Sequence, residues 1–318
     1  MEMEEKENLR VILRRGVHDV RNGPVSVVPS MVWERKDTAF LVTGALACLK
    51  GVYITALERK KEGQYFSCLL TKEDRESGAW EEKVSRKIED IVSTAHPAGI
   101  IVYASCLEFM ASLPMKARAA RLEKKWSLPI RILYRGALVS PKYPPMEALP
   151  KMMAAIPDTG RPLSPHGAPE VPEGSDFQGA ADVLQPLDTY NVLLEGGGCT
   201  ECYDLPKEEI RRYHLMQTKF SSVEAAKRYK EILPAALTAD YRRNGKGRLL
   251  CLLSSVIPNE LSFDLDWLAA ELRRAGVPVL LIPTDGTKGV EAGRQLAEAA
   301  VSDWQEKHGM IPKRDGNE

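Results

Sequence analysis

Two stretches of this chain overlay without a gap, and the duplication constrains the fold more than any other feature. Gly99-Ile-Ile-Val-Tyr-Ala-Ser-Cys106 lies over Arg248-Leu-Leu-Cys-Leu-Leu-Ser-Ser255, and at the same offset of 149 residues Ser127-Leu-Pro-Ile-Arg-Ile-Leu133 lies over Gly276-Val-Pro-Val-Leu-Leu-Ile282. Each pair reads as buried strand, helix, buried strand. The apolar runs are short and continuous, as parallel strands covered on both faces must be, and the segments between them have helical periodicity. The expected fold is α/β, with two similar Rossmann-like units whose parallel sheets are flanked by helices, and a ligand between the units could draw on both.

The rest of the chain divides around those units. Residues 1–37 read as a leader with an edge strand at Val25 to Trp33, residues 38–153 as the first unit and residues 188–306 as the second. Residues 154–187 hold the proline- and glycine-rich run Arg161-Pro-Leu-Ser-Pro-His-Gly-Ala-Pro, too poor in aliphatics to offset its ordering entropy, and read as a mobile linker in which His166 is solvated. Residues 307–318 read as a frayed polar tail. In the first unit Trp80, Val84, Ile88 and Ile91 line one face of a helix that His96-Pro97 stops. In the second, Asp204 and Pro206 suit the start of a helix that would carry His214, and Leu265, Leu268 and Leu272 line another.

At 318 residues the chain is long enough for two cores, and its 44 basic side chains equal its 44 acidic ones. Nothing in that balance points to nucleic acid or an anionic membrane, and the Lys116 to Lys125 cluster reads as a solvated helix face. No apolar run approaches the roughly 20 residues of a membrane span, and the acidic start is unlike a secretory signal, so the expected location is the cytoplasm.

Six cysteines in such a compartment are packing residues or ligands rather than a disulfide framework. Chemistry in parallel sheets gathers at the carboxyl ends of strands. Cys106 stands at one strand end, Cys199 and Cys202 at another and Cys48 just beyond a third, whereas Cys251 is central in its strand and Cys68 lies in an apolar run before a helix. Gly196, Gly197 and Gly198 follow the strand Tyr190 to Glu195, and their amides can approach an anion or an inorganic sulfide. Cys48, Cys106, Cys199 and Cys202 would supply the four soft sulfur donors that a 4Fe-4S cluster takes, and the other reading of Cys48 and Cys106 is as ordinary buried thiols.

Three segments give the first unit a resemblance to nitrogenase component 1 and its relatives: Ala47-Cys-Leu-Lys-Gly-Val-Tyr53, Leu70-Thr-Lys-Glu-Asp-Arg-Glu-Ser-Gly78 and Ala98-Gly-Ile-Ile-Val-Tyr-Ala-Ser-Cys106. In the second, Gly198-Cys199 and Val277-Pro-Val-Leu-Leu-Ile-Pro-Thr-Asp-Gly286 follow the same plan, so the resemblance covers residues 38–136 and 188–303. It implies an oxidoreductase or electron-transfer protein with an iron–sulfur cluster between its units. It also implies a separate ATP-dependent reductase, similar to the nitrogenase iron protein, as electron donor, and pairing with a second or related subunit. Cys106 and Cys199 match family cysteines. The first family cysteine falls on Gly44, with Cys48 displaced toward the lysine, and Cys106 is followed by Leu-Glu-Phe-Met instead of a glycine and aspartate turn.

Two other classes stay open. Cys199-Thr-Glu-Cys202 has the spacing of a dithiol redox motif, and a chain whose site had decayed would be a binding or scaffold protein. Zinc lacks a second cysteine pair at matching spacing, a hydrolase lacks its Gly-x-Ser-x-Gly elbow, and ATP hydrolysis lacks a phosphate loop. His18, His96 and His308 sit in polar contexts and read as solvated.

Overall fold

The structure is a computed structural model that describes residues 11–15, 24–136, 138–139, 145–166, 174–197 and 215–314. The chain forms two compact units, one of residues 19–172 and one of residues 1–18 together with 173–318. We call them the inserted unit and the split unit. Strand β1 (Val11–Arg15) comes first in sequence but joins the split unit's sheet.

The inserted unit runs α1 (Pro24–Trp33), β2 (Thr38–Gly44), α2 (Leu46–Glu58), β3 (Tyr65–Leu69), α3 (Lys72–Ser77), α4 (Trp80–Ala95), β4 (Gly99–Ala104), α5 (Cys106–Met110), α6 (Met115–Trp126), β5 (Ile130–Tyr134) and α7 (Pro145–Ala154). Its sheet is parallel throughout, in the order β3-β2-β4-β5. Residues of one parity along the strands face one core and those of the other parity face a second. Ala39, Leu41, Ile100 and Val102 pack with Trp80, Val84, Ile88 and Ile91 of α4 and with Ala119 and Leu122 of α6. Phe40, Val42, Ile101 and Tyr103 pack with Val28, Val32 and Trp33 of α1 and with Leu49, Val52 and Ala56 of α2. Helices thus cover both faces, which is why β2 and β4 are buried end to end.

The split unit continues with α8 (Asp176–Leu184), β6 (Thr189–Leu194), β7 (Leu215–Phe220), α9 (Val223–Lys227), α10 (Tyr229–Asn244), β8 (Leu249–Ser254), α11 (Val256–Glu260), α12 (Leu265–Arg274), β9 (Val279–Ile282) and α13 (Val290–His308). Its order is β1-β7-β6-β8-β9, the same four-strand parallel core with β1 added antiparallel at the edge. The α/β fold with two Rossmann-like units is therefore present.

The duplication is real, but its register differs from the ungapped one. Ile100 donates its N–H to Pro129 O and Leu250 donates to Pro278 O, so the strand residues are 150 apart while the prolines are 149 apart. Ser112 and Ser262, also 150 apart, share φ 53°, and the extra residue falls between α6 and its shorter counterpart α12. Cys106 therefore corresponds to Val256, Ser105 to Ser255 and Glu108 to Pro258.

Four local expectations are corrected. Val25 to Trp33 is helical, because Val28 and Val32, four residues apart, enter the core together. The expected linker is partly structured: Asp176–Leu184 is a helix, and residues 157–166 are tied to the inserted unit through Leu163 N–H to Lys36 O and Ser164 N–H to Ala95 O. His166 stacks on Phe66 with centroids 4.6 Å apart instead of standing in solvent. In the tail, Ile311 is buried and Lys313 bridges to Leu187. The helix expected from Asp204, His214 and His18 lie outside the described residues. No helix among the described residues is long and apolar enough to cross a membrane.

Candidate functional site

Three chain segments meet at the carboxyl end of the inserted unit's sheet. Strand β2 ends in Gly44, Ala45 takes the N-cap position, and Cys48 sits in the first turn of α2 with its N–H donated to Ala45 O at 2.9 Å. Strand β4 ends at Ala104, Ser105 caps α5, and Cys106 is the first residue of that helix. Strand β5 leads into Arg135 and Gly136.

The two glycines make room for the cysteines. A Cβ at Gly44 would lie 2.7 Å from Cys48 Cβ and 3.1 Å from Ser105 Oγ, and one at Gly136 would lie 2.8 Å from Cys106 Cβ and 3.0 Å from its Sγ. Both have positive φ, 140° and 118°, so an L side chain would be strained there as well as crowded. Gly286 holds the equivalent place against Val256 in the split unit, which has no thiol there.

Charge is arranged around the pair. The Arg135 guanidinium lies 4.9 Å from the Tyr103 ring centroid and donates to Cys48 O. Burial pushes both thiols up, the charge of Cys48 and then of Glu108 adds to the rise at Cys106, and Arg135 opposes it at both. The Ser105 hydroxyl also hydrogen-bonds the Cys48 thiol. Glu108 is wholly buried beneath this turn; its Oε2 accepts Ser105 N–H at 2.5 Å and the Thr43 hydroxyl at 3.4 Å.

The structure thus brings together two of the four cysteines singled out in the sequence. Gly196 and Gly197 follow β6 at the carboxyl end of the split unit's sheet, with Gly197 at φ 102°. Gly198, Cys199 and Cys202 lie outside the described residues, and among the described residues no three His, Cys, Asp or Glu side chains group as a metal site. Cys68 is in β3, a strand the sequence reading missed, and Cys251 is at the centre of β8; burial pushes each thiol up to about 12, as fits packing residues.

Ser105, Glu108, Arg135 and Gly136 had not been singled out as site residues. Ser105-Cys-Leu-Glu108 carries a capping-box pattern that sequence could have shown. Arg135 and Gly136 join the site only through the β4 to β5 pairing, which no local pattern announces.

No family model matches the chain, and no curated protein matches it. Among solved structures, tagatose-6-phosphate ketose/aldose isomerase from Escherichia coli is similar over 92% of this chain and 89% of its own, at 13% identity and a TM-score of 0.25.

Proposed function

We propose that the chain is an iron–sulfur oxidoreductase or electron-transfer protein of the nitrogenase component 1-like kind, with Cys48 and Cys106 as two of its cluster ligands. The observation that carries this reading is their convergence: two thiols 58 positions apart are packed at one sheet end beside an arginine, in space that Gly44 and Gly136 keep open. Soft sulfur donors suit iron–sulfide centres, and a nearby guanidinium offsets the negative charge that thiolates and sulfides carry. A thiol used as a redox nucleophile needs a depressed pKa, whereas burial raises both of these. Bonding to a metal is the means by which such buried thiols lose their protons.

The donors present fit half the ligand count, and Cys199 and Cys202, with the Gly196 to Gly198 amides beside them, are the sequence's candidates for the rest. When bound, such a cluster would pass single electrons. The chain's own part is to hold the first two sulfurs and to place a positive charge beside them. A separate ATP-dependent reductase would supply the electrons, a related subunit would complete the assembly, and a thiol-reducing cytoplasm suits the free cysteines.

Anaerobic purification with iron and sulfide analysis tests the proposal. Wild-type protein should retain stoichiometric iron and acid-labile sulfide, Cys48→Ser and Cys106→Ser should each lose most of it, and Cys251→Ser should keep it. Iron-free wild-type protein after anaerobic reconstitution would refute the reading.

A further inference from the structure

Buried charge is costly, and an internal duplicate shows whether the fold requires it. Glu108 is 0% exposed, and its Oε1 accepts no hydrogen bond among the described residues but faces the buried Arg75 guanidinium at 4.0 Å. Arg75 in turn donates to Leu70 O at 2.7 Å. The corresponding position in the split unit is Pro258, and Ser255, the counterpart of Ser105, makes no side-chain cap to α11. The same strand, turn and short helix form there without a carboxylate. Glu108 is therefore not what makes this turn fold.

What distinguishes the inserted unit is the pair of thiols, and Glu108 binds the two segments that carry them. Through Oε2 it accepts Ser105 N–H, one residue before Cys106, and the Thr43 hydroxyl, at the end of the strand that leads to Cys48. Ser105 completes the link by accepting Leu107 N–H at 3.2 Å and bonding the Cys48 thiol. One buried oxygen thus ties the β4–α5 turn to the end of β2.

We infer that Glu108 is a positioning residue for the Cys48/Cys106 centre, holding the two segments so that both sulfurs face one shared centre. The inference rests on the reading of Cys48 and Cys106 as a shared centre. Outer-shell groups of this kind fix the orientation of metal ligands.

A trivalent arsenical measures the separation without iron. Phenylarsine oxide forms two As–S bonds with a suitably spaced dithiol, and its oxygen leaves as water with both thiol protons, with no change of oxidation state. The experiment uses the metal-free full chain in a Cys199→Ser, Cys202→Ser background, so that the Cys-x-x-Cys pair does not compete. Bridging of Cys48 and Cys106 is read by mass spectrometry of intact and digested protein, with circular dichroism and urea midpoints as checks of folding.

Glu108→Ala and Thr43→Val should each weaken bridging by about tenfold or more, the usual cost of losing an outer-shell partner. Glu108→Gln keeps an acceptor for Ser105 N–H and the Thr43 hydroxyl and should stay within about threefold of the parent, a rescue that a loss of general stability would not show. Thr43→Val removes one hydroxyl at constant shape, so it decides the matter if Glu108→Ala does not fold. Folded variants of Glu108 and Thr43 that bridge like the parent would reduce Glu108 to a helix cap, and Glu108→Gln failing as badly as Glu108→Ala would show that the hydrogen bonds to Ser105 and Thr43 do not position the sulfurs. A parent protein that does not bridge would overturn the positioning role, and iron and sulfide analysis of the wild type then decides the cluster reading separately.

Discussion

At position 136 an alanine methyl would press on both Cβ and Sγ of Cys106 at a backbone φ of 118°. The left-handed backbone and the overpacking each cost about 1–3 kcal/mol, so Gly136→Ala should lower the urea midpoint measurably and slow alkylation of Cys106. A second residue makes stability depend on pH in the unusual direction. The Asp176 carboxylate is wholly buried, and burial, followed in effect by the charge of Asp285, raises its pKa from 3.8 to about 6. The N–H groups of Asp285 and Gly286, at 2.9 and 2.8 Å, pull the other way and do not prevail. Because the folded pKa lies above the unfolded one, the contribution is fully present below about pH 4 and is lost as pH rises through about 6. Two pKa units correspond to roughly 3 kcal/mol, an upper figure. Asp285, whose pKa is lowered despite burial by the Thr287 side chain and backbone, acts only at lower pH. Urea unfolding followed between pH 4.5 and 7 should show the split unit losing stability toward neutrality, and Asp176→Asn should flatten that profile.

Among the elements, the end of α7 shows how a segment with almost no apolar residues is fixed in place. Arg35 donates to Met153 O, Ile156 O and Pro157 O, which are carbonyls of the helix end and of the residues just after it, while it chelates Asp37 with two bonds of 3.0 Å. Asp37 also accepts the Thr159 N–H and hydroxyl. Arg35→Ala should release this network and speed amide exchange of Thr159 and Leu163 by about tenfold or more, while the strands of the inserted unit stay protected. None of this was legible in the sequence, which showed only a polar run, because the bonds span some 120 positions. Elements whose signal is local could be read: the continuous apolar runs at β2, β4, β5, β6, β8 and β9, and the four, four, three spacing of α4. Strand β3 was missed because five residues with a serine among them show no period, and β7 because Gln217 and Lys219 break its apolar run. In α1, β-branched valines read as a strand, but tertiary packing of Val28 and Val32 overrode that propensity. At the candidate site the cysteines could be read from their places after apolar strands. The groups beneath and beside them could not, since burial of Glu108 and the approach of Arg135 are properties of the assembled sheet.

For the whole molecule, the decisive fact is that the chain visits the split unit's sheet twice. Strand β1 leaves five residues on the edge of β7, the chain then builds all of the inserted unit, and it returns at residue 173 to build the rest. The inserted unit is thus continuous in sequence and has cores on both faces of its sheet. The split unit is complete only when a segment from the far end of the chain pairs antiparallel with β7. A fragment of residues 19–172 should therefore fold cooperatively by itself, with a urea midpoint close to that of the same unit in the full chain. A fragment of residues 173–318 should not fare as well. Without Val11 to Arg15 the outer edge of β7 has no partner among the described residues, and an open strand edge invites pairing between molecules. That fragment should elute as oligomers or aggregate on size-exclusion chromatography, and joining residues 1–18 to its amino end through a flexible linker should return it to a monomeric, cooperatively unfolding species. If residues 173–318 alone proved as stable and monomeric as the linked form, β1 would be an ornament on a sheet that does not need it. The two units would then each be closed by their four parallel strands, and the antiparallel edge would contribute nothing to the autonomy of the second.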